Sequence, residues 1–95
     1  MTYKLRFQEL AWGEWEKLDT TIRERFKKKL AERLQNPRVP TAALSTMKNC
    51  YKIKLRDVGY RLIYQVEDNI VSVSVIAIGK RDKSKVYQVA KARLQ

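Results

Sequence analysis

Residues 51–66 read YKIKLRDVGYRLIYQV, and this stretch decides the fold class. Its first six residues alternate apolar and basic side chains, which is the period-two pattern of a β-strand with one buried face. A second strand is predicted over residues 60–66, with Gly59 at the reversal. Because a two-residue turn would place the β-branched Val58 at positive φ, we expect a four-residue loop from Asp57 to Tyr60. The stretch therefore predicts a β-hairpin.

The loop length sets the predicted register of this hairpin. It pairs Arg56 with Arg61, Lys54 with Ile63, and Leu55 with Leu62. One face is then apolar: Tyr51, Ile53, Leu55, Leu62, Tyr64 and Val66. The other face carries four cations: Lys52, Lys54, Arg56 and Arg61. Successive side chains alternate between the two faces of a strand, so shifting the pairing by one residue would move cations into the core. This alternation favours the predicted pairing. Like charges this close indicate an anionic ligand, and a solvated strand face with lysines guarding an edge is the alternative.

The charge balance of the chain supports an anionic partner. Among 95 residues, 21 are Lys or Arg and 10 are Asp or Glu, which gives a net charge of +11. A surplus of this size is typical of proteins that bind nucleic acid or another anionic surface. The length predicts a single domain over residues 1–95.

The single cysteine and the lack of a predicted signal peptide indicate where in the cell the protein is expected. Cys50 is the only cysteine, so an intramolecular disulfide and a cysteine-based metal site are excluded, and we expect a small buried apolar residue in a reducing environment. Residues 1–4 contain no apolar signal-peptide core, and no segment approaches the length of a transmembrane helix. We therefore expect a cytoplasmic protein that does not contact membranes.

The first third of the chain predicts a strand and a short helix. Residues 3–7 alternate apolar side chains with basic or polar ones, which indicates a strand. Residues 10–18 form the helix, and its apolar side is predicted to contain Leu10, Trp15 and Leu18. Trp12 lies nearer the edge of that side, where it is either a partly buried core residue or an exposed anchor for a protein partner.

A second, basic helix follows. Thr21 and Glu24 fit a capping box that begins it, and Asn36-Pro37 ends it. Its apolar stripe recurs at steps of four: Ile22, Phe26, Leu30 and Leu34. Cations dominate its other faces: Arg23, Arg25, Lys27, Lys28, Lys29 and Arg33. Because most of its charged side chains are positive, we expect this helix to be a second contact for phosphates.

The C-terminal third predicts a last strand and a helix. Asp68-Asn69 indicates a two-residue turn into a strand over residues 70–78, with Glu67 opposite Ile70. That register points Val71, Val73 and Val75 to the core and Ser72, Ser74 and Ile76 to the cationic face. A helix is predicted from about residue 82 to residue 93.

The resulting order is β-α-α-β-β-β-α. It predicts an α+β domain with a small, antiparallel-rich, four-stranded sheet and the two N-terminal helices packed on one face.

The residue types restrict the chemistry. The chain contains no histidine, which excludes Ser-His-Asp and Cys-His triads and histidine-ligated metals. No phosphate-binding glycine loop is present, and the scattered acidic residues form no obvious carboxylate cluster for Mg²⁺. We therefore predict no metal and no cofactor, and an enzyme of this composition would use Lys, Arg, Tyr and Ser on an anionic substrate.

Cleavage of RNA by its own 2′-hydroxyl suits this set of side chains. The substrate supplies the nucleophile, so the protein has only to position it, move protons and neutralise the transition-state charge. Arginine can hold two phosphate oxygens at once. A lysine among other cations has a lowered pKa and can act as acid or base. An aromatic side chain such as Tyr87 can stack on a splayed base or take part in proton transfer.

The chain resembles the RelE toxins of bacterial type II toxin–antitoxin systems. The similarity extends over essentially the whole chain and is carried by residues 50–56 (CYKIKLR), residues 59–64 (GYRLIY), Gly79-Lys80-Arg81 and Tyr87. Many relatives have a basic residue where this chain has Ser45, so contact with the ribosome or mRNA there is expected to be weaker. The resemblance implies a microbial-RNase-like RelE fold.

The resemblance also implies a function, a ribosome-dependent endonuclease that cleaves mRNA in the ribosomal A site without a metal. Its catalytic residues would be Lys52, Lys54, Arg61, Arg81 and Tyr87. Arg61 and Arg81 would stabilise the transition state, the two lysines would handle protons and charge, and Tyr87 would stack on the scissile nucleotide. Further RNA and ribosome contacts would be Arg23, Lys27, Lys28, Arg56 and Lys80. A cognate antitoxin would neutralise the toxin by covering or displacing the last helix, and operator DNA would be contacted only through that antitoxin.

Other interpretations of the same residues stay open. Lys52, Lys54 and Arg56 could be a solvated strand face, Arg81 could pair with Asp82 at a helix start, and Tyr87 could be half-buried. The alternative functions are a ParE-like toxin that poisons DNA gyrase, a ribosome-independent ribonuclease and a basic RNA-binding module. ParE proteins typically lack the paired lysines and arginines found here.

Overall fold

A computed structural model describes residues 2–80 and 85–94 of the protein. The strands and helices are β1 (Lys4–Phe7), α1 (Glu9–Glu16), α2 (Thr20–Gln35), β2 (Cys50–Leu55), β3 (Tyr60–Glu67), β4 (Ser72–Lys80) and α3 (Lys85–Leu94). The four strands form one sheet in the order β1-β4-β3-β2, with only β1 and β4 parallel. The predicted α+β architecture is therefore confirmed. None of the described helices is both long and apolar enough to cross a bilayer.

The β2–β3 hairpin has the predicted faces but a different register. Lys54 lies opposite Arg61 and Leu55 opposite Tyr60, so the predicted pairing was wrong by two residues. The cause is the turn: Gly59 has φ 72° and donates its N–H to the carbonyl of Leu55 at 2.9 Å, which closes the loop over residues 56–59. Because the pairing shifts by an even number of residues, each side chain stays on its predicted face of the sheet. The six predicted apolar side chains all lie in one core.

Helices α1 and α2 cover that apolar face. Helix α2 buries Ile22, Phe26 and Leu30 in the core, as the stripe predicts. The predicted capping box was wrong: the helix begins at Thr20 after Asp19, and no side chain caps it.

Helix α1 begins one residue earlier than predicted. The Gln8 side chain caps it by accepting hydrogen bonds from the N–H groups of Leu10 and Ala11. The buried positions become Ala11, Trp15 and Leu18, while Leu10 is 59% exposed, contrary to the prediction. Trp12 is exposed (46%), so the alternative of a partly buried core residue is wrong, although its ring packs edge-on against Phe7 at 5.1 Å.

The connection from β3 to β4 is longer than predicted. A 3₁₀ turn over Asp68–Ile70 is followed by Val71 at φ 49°, so the strand begins at Ser72, opposite Glu67. Val71 thus lies outside the strand.

A bulge further along β4 changes which face its residues occupy. Tyr64 pairs with Val75 and Ile63 with Ala77, which leaves Ile76 as the extra residue. As a result Ile78 lies in the core under α1 and α2, whereas Ile76 and Ala77 lie in a second core on the opposite face.

Helix α3 closes this second core. Val86 and Ala90 are buried against Ile63 and Ala77. Cys50 is buried in the same cluster, as predicted, and burial raises the pKa of its thiol to about 11. The predicted start of the last helix, at residue 82, lies outside the described residues. The sheet thus has helices on both faces, and α3 occupies part of the face that carries the cations.

Candidate active site

Four predicted site residues meet where α3 approaches the hairpin. Lys54 lies opposite Arg61 in the β2–β3 ladder, and Lys52 is two residues away on the same face of β2. Arg61 Nη1 donates a hydrogen bond to the hydroxyl of Tyr87 on α3 at 3.2 Å. The guanidinium carbon of Arg61 also lies 5.5 Å from the centroid of the Tyr87 ring. Residues from three elements therefore form one cluster.

The electrostatics of the cluster centre on Lys54. The charge of Lys52 is the largest cause of a lowered pKa at Lys54, followed by partial desolvation and the charges of Arg61 and Arg56. A cation held beside other cations gives up its proton more readily. The lowered pKa of Lys54 is the direction expected for an amine that exchanges a proton.

An open cleft of about 320 Å³ lies beside these residues at the end of the hairpin. Its lining consists of Lys54, Leu55, Arg56, Gly59, Tyr60 and Arg61. Arg56 lies in the hairpin loop and is exposed, so it does not lie opposite Arg61 as predicted. Lys80 Nζ lies 5.7 Å from the centroid of the Tyr60 ring. Such a basic, open cleft can bind an extended anionic chain.

Arg81, which the resemblance places among the catalytic residues, lies outside the described residues. Its neighbour Lys80 ends β4 opposite Tyr60 and is exposed. Described residues thus bring together Lys52, Lys54, Arg61 and Tyr87.

The predicted contacts on α2 lie away from this cluster. Helix α2 packs on the opposite face of the sheet from α3. Arg23 is partly buried and donates to the carbonyl of Leu18 at 2.9 Å, and Lys27 pairs with Glu24 at 2.9 Å. Lys28 is exposed. These residues form a separate basic surface.

Arg33 of α2 is not one of the outward-facing cations that the sequence predicts. Arg33 Nη1 donates to the main-chain carbonyl of Lys52 at 3.1 Å and to the hydroxyl of Tyr64 at 2.9 Å. The Tyr64 hydroxyl in turn donates to the carbonyl of Pro37 at 2.7 Å. Arg33 therefore holds the outer edge of β2 at Lys52 rather than facing solvent. Its position seven residues after Phe26, on the apolar side of the helix, was the available signal.

A second pair, Glu14 and Arg93, was not singled out from the sequence. Arg93 Nη1 and Nη2 contact Glu14 Oε1 and Oε2 at 2.9 and 3.0 Å. The two residues are 79 positions apart, and no local pattern connects them.

Comparisons with known proteins identify the family and the fold. The family model of the ParE toxin of type II toxin–antitoxin systems matches residues 5–84. The mRNA interferase toxin RelE of Escherichia coli K12 and the mRNA interferase RelE of Shigella flexneri are each 53% identical over 94 residues, 99% of either chain. A mutant of E. coli RelE in the free state matches all of both chains with a TM-score of 0.92 at 52% identity. E. coli RelE bound to a peptide of the antitoxin RelB matches 95% of both chains with a TM-score of 0.83 at 53% identity.

The fold and these matches define a toxin of the type II toxin–antitoxin class. Within that class, the identity to RelE over nearly the whole length shows that the chain belongs to the RelE family.

Proposed function

We propose that this toxin is an endoribonuclease that cleaves mRNA in the ribosomal A site and so inhibits translation. The single observation that carries the proposal is the cluster of Lys54, Arg61 and Tyr87: the amine of Lys54 and the guanidinium of Arg61 line one cleft, and the ring of Tyr87 lies against that guanidinium. Relatives with about half of their residues identical are named mRNA interferases.

The proposed reaction needs a nucleophile from the substrate only. The 2′-oxygen of one ribose attacks the adjacent phosphorus and loses its proton. The bond from phosphorus to the 5′-oxygen breaks, and that oxygen gains a proton. The products are a 2′,3′-cyclic phosphate and a 5′-hydroxyl end. Arg61, with Arg81, stabilises the charge on the phosphate oxygens. Lys52 and Lys54 exchange protons and neutralise charge, and Tyr87 stacks on the nucleotide that is cut.

Dependence on the ribosome follows from what the side chains lack. The chain contains no histidine, and nothing else in it is an obvious strong base at neutral pH. We infer that the ribosome aligns the 2′-oxygen with the phosphorus, since correct geometry supplies a large part of a rate enhancement. The basic surface of α2 would face ribosomal RNA.

A cognate antitoxin completes the proposed system. The related E. coli toxin is known both alone and in complex with its antitoxin RelB. For this chain we propose an antitoxin that covers or displaces α3, because removing α3 would separate Tyr87 from Arg61. Contact with operator DNA would come only through that antitoxin.

The experiment is to incubate the protein with a programmed ribosome and with the same mRNA free in solution. Fast cleavage on the ribosome and little in free mRNA supports the proposal. Similar cleavage in both would overturn the ribosome dependence.

A second candidate, poisoning of DNA gyrase, is favoured by one observation, the match to the ParE family model. The same preparation is therefore added to a gyrase supercoiling reaction. Inhibition of gyrase together with no cleavage of ribosome-bound mRNA would select this candidate and reject the nuclease.

A further inference from the structure

We propose that Glu14 and Arg93 are a positioning pair that fixes the orientation of α3, so that Tyr87 meets Arg61. The inference deepens the proposed function and rests on it, because it concerns how the site is assembled. Neither residue contacts the cluster itself: Glu14 belongs to α1 and Arg93 to the last turn of α3.

The pair occupies a gap in the sheet. β1 pairs with β4 only as far as Phe7 and Val75, and no strand among residues 2–80 and 85–94 neighbours the rest of that edge of β4. The Glu14 Oε1 atom accepts a hydrogen bond from the N–H of Ile78 at 3.0 Å, and Arg93 Nη1 donates to the carbonyl of Ile76 at 2.9 Å. The two side chains thus take the place of a strand and satisfy main-chain groups that would otherwise lack partners.

The contact between the two side chains is bidentate and shielded. Their relative exposures are 14% for Arg93 and 31% for Glu14, lower than in the other ion pairs among residues 2–80 and 85–94. A two-point contact between a guanidinium and a carboxylate fixes direction as well as distance. Arg93 also lies at the C-terminal end of a helix, where the helix dipole favours a cation.

The geometry of α3 explains why its orientation requires such a contact. Its buried face is small and apolar, consisting mainly of Val86 and Ala90. Apolar burial is not directional, so these contacts hold the helix to the sheet without strictly fixing its rotation. Tyr87 precedes Arg93 by six residues, about 9 Å along the helix axis at 1.5 Å per residue. If Arg93 loses its contact with Glu14, α3 can rotate about its axis, and this rotation moves the Tyr87 hydroxyl.

A double-mutant cycle tests the proposal. Glu14→Gln and Arg93→Lys weaken the bidentate contact, and each is measured in the wild type and in the Tyr87→Ala background. If the pair acts through Tyr87, each variant lowers kcat for ribosome-dependent cleavage by roughly tenfold with little change in KM. The same changes then have almost no further effect once Tyr87 is Ala. Equal losses in both backgrounds would overturn the proposal.

Asp68→Asn is the matched control for this cycle. Asp68 forms an ion pair with Arg38, and like Glu14→Gln the change replaces the carboxylate by an uncharged amide. The pair lies in the turn after β3, at the opposite end of this strand from the hairpin loop. We expect cleavage within about twofold of wild type, since the surface pair acts on no site residue. A tenfold loss in this control would mean that any broken ion pair lowers activity, and would contradict a specific role for Glu14 and Arg93.

A measurement that needs no activity separates this proposal from the proposed function. Proton NMR of the free toxin should show cross-relaxation between the Arg61 side chain and the Tyr87 ring, and Glu14→Gln should remove it while contacts of Val86 with Ile63 persist. Retention of the Arg61–Tyr87 signal in Glu14→Gln would overturn the positioning role. If instead Tyr87→Ala leaves cleavage unchanged, the role of Tyr87 in the nuclease fails, and the NMR result still decides the positioning.

Discussion

Arg61 and Tyr87 come from different elements and meet at 3.2 Å, guanidinium to hydroxyl, with the tyrosine ring also within cation–π distance. Arg61 belongs to β3 and points to the face on which α3 packs. The contact joins the cationic hairpin to the last helix. In the proposed function it places the arginine that binds the phosphate group next to the ring that stacks on the base.

Replacing Arg61 is expected to remove transition-state stabilisation. Arg61→Ala should lower the rate of ribosome-dependent cleavage by roughly 10²-fold or more, because a guanidinium aimed at developing charge is lost. Single-turnover cleavage of ribosome-bound mRNA measures this. Arg6→Ala is the matched control, since Arg6 is an exposed arginine of β1, and it should change the rate little. Equal losses in the two variants would mean that only the total charge matters.

Removing Lys52 is expected to raise the pKa of Lys54. The charge of Lys52 is the largest cause of the lowered pKa at Lys54, and a lysine that loses a cationic neighbour holds its proton to higher pH. In Lys52→Met, an NMR titration of the Lys54 side chain should therefore move to higher pH. If Lys54 acts as the base, the rising limb of the pH–rate profile moves in the same direction. Lys4→Met should leave the Lys54 titration in place, and an unchanged Lys54 titration in Lys52→Met would refute the coupling.

The Tyr64 hydroxyl is expected to stabilise the fold. It accepts a hydrogen bond from Arg33 and donates one to the carbonyl of Pro37, and burial raises its pKa. Tyr64→Phe should lower the free energy of unfolding by about 1–3 kcal/mol, because both partners lose a buried hydrogen bond. Urea denaturation measures the change.

Tyr60→Phe is the control for that measurement. Among the described residues, the Tyr60 hydroxyl has no hydrogen bond shorter than 3.5 Å, and its removal should cost less than about 0.5 kcal/mol. Equal destabilisation by the two variants would show that the Arg33–Tyr64–Pro37 network contributes nothing specific.

The turn that sets the hairpin register depends on Gly59. At φ 72° an alanine is strained, although its Cβ would meet no atom within 4 Å, so Gly59→Ala should destabilise the protein by about 1 kcal/mol. Gly13 in α1 also has open space around it, and Gly13→Ala should stabilise the protein by about 0.5–1 kcal/mol through helix propensity. Thermal denaturation of the pair checks the signs. A stable Gly59→Ala variant would contradict the turn geometry.

The amino-acid sequence was sufficient for the faces of the hairpin and insufficient for its register. Period-two alternation places Ile53 and Lys54 on opposite sides whatever the loop length. The pairing itself depends on the hydrogen bond from Gly59 to Leu55, which a four-residue loop can form at more than one position. Lys54 and Arg61 therefore lie on the same face, as predicted, but the predicted pairing of residues across the two strands was wrong.

The contribution of α3 was harder to predict. Tyr87 can reach Arg61 only if α3 packs on the face that carries the cations, and the bulge at Ile76 places both Ile76 and Ala77 in the core under that helix. Such a bulge leaves no strong local signal in a run of β-branched residues. Glu14 and Arg93 meet only because α1 and α3 both reach the same open edge of β4, which is a property of the assembled sheet.

The most direct test of the nuclease removes a single oxygen atom from the substrate. Programmed ribosomes are prepared with an mRNA that carries either ribose or 2′-deoxyribose at the nucleotide 5′ to the cut, and the protein is added to both. The account predicts cleavage of the ribose message, with a 2′,3′-cyclic phosphate and a 5′-hydroxyl at the ends, and no cleavage of the deoxy message. Equal cleavage of the two messages would contradict attack by the substrate's own hydroxyl.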